Sequence, residues 1–314
     1  MSYWPNFNRE VSLALLCIIA VLIVFTLIFS VWDLTKPSKS VKSLKLKTYS
    51  WWIILLVYIL MTGINRLLLH VILALISFIS FRELISVLKI SFSKRKVLFW
   101  SYLVIVAQYY FSYRVNFLAF ALLIPISSIL LIPIRTLLDD SADNNIKTNA
   151  LVSWSLILTV YSLSHIAYLT SLESIPAFQA GFQGVLLFLI FLTQVNDVFQ
   201  FLSGKIFGKH FIFKKISPNK TWEGFIGGII GTTLLSGQLS FLVPVSLSQA
   251  YFLGLIISIF GFLGDINMSA IKRDLNIKDM SDFIPGHGGI LDRLDSLTFT
   301  SIVFFYCLLY WVYI

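Results

Sequence analysis

The chain has 314 residues, 58% hydrophobic and 12% charged, with a mean hydropathy of +0.87; soluble domains carry about 25% charged residues, so a soluble globular protein is excluded. A formal net charge of +9 is weak support for nucleic-acid binding, because a multispanning chain gathers Lys and Arg in its cytoplasmic loops during insertion. The two cysteines, Cys17 and Cys307, lie in apolar runs, which argues against both a disulfide framework and a thiolate metal site.

Apolar runs of the length that a hydrocarbon core of about 30 Å requires predict spans at 11–32, 51–65, 67–88, 97–113, 115–133, 150–171, 181–202, 224–241, 247–264 and 296–314. The first run resembles a signal peptide but is long enough to span and has no small-residue cleavage site after it, so a retained helix is expected. The expected fold class is all-α, a polytopic integral membrane protein of about ten transmembrane helices. Runs two and three are split only by Asn65 and Arg66, and runs eight and nine only by the Ser and Pro residues around Val243. Either pair is alternatively one bent or re-entrant element.

With the N-terminus outside, this count puts 20 of the 24 basic residues in cytoplasmic loops and leaves only Arg9, Arg66 and Arg114 outside, with Arg82 in a helix end. It also puts the two polar loops, 203–223 and 265–295, on the same cytoplasmic side. Residues 1–180 read as a hydrophobic multispan scaffold, with a Ser/Lys-rich linker at 35–48 and an acidic loop holding Asp139, Asp140 and Asp143. Tyr49, Trp51 and Trp52 read as an interfacial aromatic belt. Residues 181–314 read as the catalytic membrane region, since 8 of the 15 acidic residues appear from Asp197 onward.

Three constellations suggest chemistry. Asp197 follows Asn196 inside an apolar helix, where an ionisable group needs a buried partner or an ion. Arg82 and Glu83 are a weaker case of the same kind, read as an ion pair near the interface. Residues 204–224 carry five lysines, and Ser217, Pro218, Asn219, Lys220 and Thr221 lead into a helix start with Glu223 in its first turn, an arrangement suited to phosphates. Lys209 and His210 have no assigned role there, and a solvated His210 is the plainer reading.

The third and most punctuated is Gly264–Asp295. Asp265 ends a span, and Ser269, Lys272 and Arg273 follow at helical spacing. Lys278, Asp279, the glycine-rich turn with His287, Gly288 and Gly289, and then Asp292, Arg293 and Asp295 complete it. Mg²⁺ takes one or two carboxylates plus substrate phosphates, for which Asp265 and Asp292 stand best at the membrane boundary, while Lys and Arg hold other phosphate oxygens. The glycines let the backbone approach a ligand closely. A charged loop neutralised by internal salt bridges is the plainer alternative.

This last stretch resembles the signature of the CDP-diacylglycerol synthases, or phosphatidate cytidylyltransferases, through Ser269, Ile271, Lys272, Arg273, Lys278, Asp279, Ser281, Ile284, Pro285, His287–Ile290, Asp292, Arg293, Leu294 and Asp295. Residues 215–228 resemble a second shared segment of that family, and Asn196, Asp197, Gly204 and Gly208 a third. The resemblance covers about 195–296; Val198, Phe199 and Gln200 depart from the small and aromatic residues that many bacterial members have there.

The resemblance implies transfer of CMP from CTP to phosphatidic acid in phospholipid synthesis, releasing pyrophosphate. It implies Mg²⁺, singly or as a pair, on Asp265 and Asp292 with Asp197 as a further candidate, and Asp295 orienting nearby groups. Lys272, Arg273, Lys278 and Arg293 are then expected on phosphate oxygens. Ser217, Lys220 and Thr221 shape the nucleotide or headgroup pocket, and His287 meets pyrophosphate or is a turn histidine. The expected partners are CTP, phosphatidic acid and membrane lipids, with a homodimer left open. The expected place is a bacterial inner membrane with the site facing the cytoplasm, or else an organelle membrane. The alternatives are a CTP-dependent enzyme acting on an isoprenoid or archaeol-type lipid, and a transporter of an anionic solute.

Overall fold

The computed structural model describes residues 7–36, 38–88, 90, 95–138, 144–174, 178–281 and 288–313. Asp139, Asp140, Asp143 and His287 lie outside the described residues. Ten long helices run through the rest: α1 (Arg9–Thr35), α2 (Lys39–Gly63), α3 (Arg66–Val87), α4 (Lys96–Tyr113), α5 (Phe117–Leu137), α6 (Asn145–Ser171), α7 (Gly181–Phe207), α8 (Trp222–Gln238), α9 (Leu247–Asp274) and α10 (Leu291–Tyr313). Eight of them are long and apolar enough to cross a membrane; α4 and α8, with 18 and 17 residues, are the other two. The chain is an all-α polytopic membrane protein. Its described β-structure is one antiparallel hairpin, β1 (Phe211–Phe213) and β2 (Ser217–Thr221), between α7 and α8.

Both doubtful pairs are separate helices. Asn65 caps α3 by accepting from Leu68 N at 2.7 Å, which stops the chain from continuing out of α2. Between α8 and α9 a short turn, Ser240–Leu242, precedes a capping box in which Ser246 and Gln249 satisfy each other's backbone N–H groups. Inside α5, Pro125 lacks an N–H, and the helix widens by one residue per turn over Ser127–Leu131.

One expectation about the first half is corrected. The segment expected as a Ser/Lys linker is helical from Lys39, because Ser38 caps it at Val41 N and Lys45 pairs with Asp33 of α1 at 3.1 Å. Trp51 and Trp52 are half-buried and Tyr49 is exposed: Trp51 meets Phe191 of α7 edge-on at 6.2 Å, and Trp52 Nε1 donates to Thr26 of α1 at 3.0 Å.

Apolar packing alone does not fix helix register in lipid, so buried hydrogen bonds carry part of the specificity. In the first half Tyr109 and Ser77 share one at 2.6 Å, and Gln108 Nε2 donates to Phe120 O and Ser164 Oγ, both at 3.1 Å. In the second half Asn196 ties three helices: its Oδ1 accepts from Thr232 of α8 at 3.2 Å and Ser258 of α9 at 2.7 Å. The C-terminal ends of α3, α7 and α9 and the N-terminal ends of α8 and α10 come together at one end of the bundle, through Glu83 with Leu291, Lys272 with Asp292 and Gly204 with Gly224.

Candidate functional site

The hairpin delivers Lys220 into this junction. Its Nζ lies 2.5 Å from Asp265 Oδ2 of α9, donates to Gln200 Oε1 of α7 at 3.0 Å, and stands 5.5 Å from the centre of the Phe262 ring. Burial pushes this ammonium down, but Asp265 and Asp197 outweigh it and hold Lys220 above its usual range. Asp197, Asp265 and Asp295 share one electrostatic neighbourhood with Lys220. Asp197 accepts from Ser296 Oγ of α10 at 3.3 Å, Ser269 Oγ approaches Asp265 Oδ1 at 3.4 Å, and Asp295 Oδ1 accepts from Ser296 N at 2.7 Å.

Thr221 ends β2 and caps α8, accepting from Gly224 N at 3.1 Å, as its place before an apolar run suggests. Close approach of α7 and α8 depends on Gly224, where a Cβ would stand 2.8 Å from Gln200 O. Glu223 holds the hairpin to the helix: it accepts from His210 Nδ1 at 2.6 Å, Lys209 N at 3.1 Å and His210 N at 3.2 Å. His210 is exposed, as expected, but its ring has this partner. The hydrogen bond from His210, helped by the backbone amides, lowers the Glu223 carboxyl from 4.5 to about 2. Ser217 starts β2, and Lys205, Lys209, Lys214 and Lys215 are exposed around it.

The second cluster is the start of α10. Lys272 Nζ bonds Asp292 Oδ1 at 2.9 Å, with the two side chains only 15% and 7% exposed. Asp292 Oδ2 accepts from Met280 N at 2.8 Å and Gly289 N at 2.9 Å. Asp292, expected beside Asp265 as a metal ligand, accepts here from an ammonium and two amides, while Asp295 lies in the neighbourhood of Asp265 and Asp197. Gly288 has φ +78°, a left-handed conformation that favours glycine. Arg273 Nε donates to Ile216 O of the hairpin at 3.3 Å, so the two polar loops touch. Lys278 and Asp279 are exposed, and Arg293 is half-buried on α10.

Sequence reasoning missed Glu83. It is not committed to Arg82 as an ion pair: its oxygens accept from Ser281 Oγ, Ile290 N and Leu291 N at 2.7, 3.0 and 2.9 Å. The available signal was an acid one turn from the cytoplasmic end of an apolar helix, but its partners lie about 200 residues away in the chain. Gln200, which orients Lys220, was noted only as a departure from the family pattern.

The donor chemistry fits a hard cation, since carboxylate oxygens converge from α7, α9 and α10. Among the described residues no three such groups are spaced to enclose an ion by themselves. Mg²⁺ needs only one or two protein carboxylates when phosphates supply other ligands, so the fit stands on that condition.

Fold and site together define a class: a polytopic helical membrane protein whose carboxylates and cations, suited to phosphates, gather at one end of the bundle. Residues 45–311 match the cytidylyltransferase family, and the chain belongs to it. It is 37% identical over 312 residues to the Escherichia coli (strain K12) protein YnbB, described as uncharacterized, covering 97% of this chain and 99% of that one. It is also 37% identical over 151 residues to the phosphatidate cytidylyltransferase of Aquifex aeolicus, 48% of this chain and 55% of that protein. The enzyme of that name from Staphylococcus aureus (strain COL) is 41% identical over 116 residues, 36% of this chain and 45% of its own. The match thus spans about half the length of these two enzymes. Family membership points to nucleotidyl transfer with CTP as substrate.

Proposed function

We propose that the protein transfers CMP from CTP to the phosphate of phosphatidic acid, giving CDP-diacylglycerol and pyrophosphate. The observation that carries the reading is the gathering of Asp197, Asp265 and Asp295 around Lys220 where spanning helices meet the hairpin. A phosphomonoester with a second pKa of about 6 is largely dianionic at neutral pH, so its attack on the α-phosphate of CTP needs no strong base. What remains is to bring anions together and stabilise the leaving pyrophosphate.

Mg²⁺, when bound, would supply charge neutralisation for the phosphates, with Asp265 and Asp292 as its candidate protein donors, Asp197 as a further candidate and Asp295 orienting nearby groups. Lys272 and Arg273 bind and orient phosphate oxygens, with Lys278 and Arg293 as the outer cations. Lys220 screens the carboxylates from one another and offers its ammonium to an incoming phosphate. Ser217, Thr221, Ser269, Gly288 and Gly289 are the residues proposed to line the nucleotide or headgroup site. Asp279 stands beside Gly288, and His287 is kept as a pyrophosphate contact. The site is proposed to face the cytoplasm, where CTP is made, from a bacterial inner membrane.

One observation favours a second reading. Similarity to the two phosphatidate enzymes covers 48% and 36% of the chain, whereas that to YnbB runs nearly end to end. The acceptor in that case is another lipid monophosphate, of isoprenoid or archaeol type. Incubating purified protein with labelled CTP, Mg²⁺ and a panel of lipid phosphates decides: labelled CDP-lipid and pyrophosphate only with phosphatidate support the first reading, and product only with another lipid overturns it.

A further inference from the structure

Glu83 belongs to the half of the chain whose loops carry no chemical pattern, yet its carboxylate serves the far end of the sequence. Its Oε1 accepts from Ser281 Oγ at 2.7 Å and Ile290 N at 3.0 Å, and its Oε2 from Leu291 N at 2.9 Å. Leu84, the next residue of α3, is buried in an apolar cluster with Leu158, Met268, Met280 and Leu291, so packing fixes this end of α3 against the same turn. Gly289 leaves room for the carboxylate: a Cβ there would stand 2.6 Å from Glu83 Oε2.

Helix starts have free N–H groups and a positive dipole end, both satisfied by a buried carboxylate. The residue after Leu291 is Asp292, whose Oδ1 holds Lys272 Nζ at 2.9 Å. We propose that Glu83 is a positioning residue for the phosphate-binding side of the site: it fixes the start of α10, hence Asp292, and through Asp292 the ammonium of Lys272. The part concerning Lys272 rests on the reading of the site as one that binds CTP. A lysine on a four-carbon stem is a flexible point charge, and holding it in place is where a remote carboxylate gains leverage on turnover.

Glu83→Ala, Glu83→Gln and Glu83→Asp in the full-length protein test this with two readouts. Hydrogen exchange at the Ile290 and Leu291 amides requires no reaction. Glu83→Ala speeds it by about tenfold or more, the loss expected of hydrogen bonds to a charged acceptor. Unchanged protection overturns the brace whatever the protein catalyses.

The second readout is CMP transfer in double variants. Glu83→Ala slows it, but Glu83→Ala with Lys272→Ala is no slower than Lys272→Ala alone within about threefold, because both act through one group. A mere weakening of the fold multiplies the two losses, and that outcome overturns the positioning role. Glu83→Gln keeps one acceptor oxygen and retains more protection and turnover than Glu83→Asp, which is one methylene too short; if Glu83→Ala does not fold, Glu83→Gln carries both readouts. A wild-type protein that neither binds nor turns over CTP overturns the reaction and the Lys272 part, while exchange still decides the brace.

Discussion

Where α7, α9 and α10 meet β2, three aspartates and one lysine occupy the space proposed for the substrate phosphates. Lys220 stays charged there because Asp265 and Asp197 outweigh its burial. Asp265 is the aspartate with a direct ion pair to it, so Asp265→Ala should cut CMP transfer by at least ~100-fold, the scale of losing one preorganised electrostatic contact. Circular dichroism should show the helices intact; full turnover by that variant would remove Asp265 from the chemistry. Glu223 gives a pH prediction. Its carboxyl is lowered to about 2 from 4.5, so its link to His210 contributes stability that is complete above 4.5 and is lost as pH falls toward 2. The difference in Tm between the wild type and Glu223→Gln should hold steady down to 4.5 and then close.

At the scale of elements, the turn before α10 shows what a glycine protects. Gly288→Ala forces a side chain into a left-handed conformation, costing about 1–2 kcal/mol, and its Cβ would stand 2.9 Å from Asp292 Oδ2. A larger loss of CMP transfer than of Tm is expected, because the displaced carboxylate is the one that holds Lys272; equal losses would make the turn purely structural. Helices were legible in the sequence because lipid demands long apolar runs, and the start of α8 because residues 217–221 lead into it; the breaks before α3 and α9 were left open, and the caps at Asn65 and Ser246 decide them. The hairpin was not legible. Its strands are three and five residues long and are held largely by Glu223 and by Arg273 from another loop, so no alternation could announce them.

Across the whole molecule, charge asymmetry places the hairpin and the α9–α10 turn on one face, and Arg273 Nε at 3.3 Å from Ile216 O agrees. Cysteines introduced at Lys214 and Lys278, both exposed, should react with a membrane-impermeant thiol reagent from the same side of sealed vesicles; labelling from opposite sides would overturn the topology. That Lys272 and Asp292 lie together was readable because they flank a single loop. Glu83 was not, since nothing in α3's own sequence says which distant amides will meet it.

The length of α9 has one more consequence. Its 28 residues extend about 42 Å at 1.5 Å per residue, against a hydrocarbon thickness of about 30 Å. Asp265 lies nine residues, or about 14 Å, short of the C-terminal end of α9. With the excess of about 12 Å carried at that end, Asp265 stands near the hydrocarbon boundary, where a phospholipid holds its phosphate. The proposed acceptor therefore arrives and its product departs by sliding sideways within one leaflet, while the nucleotide alone descends from water. Saturation by the acceptor should then follow its mole fraction in the surface rather than its concentration in the tube, and diluting it with inert detergent at fixed bulk amount should slow the reaction.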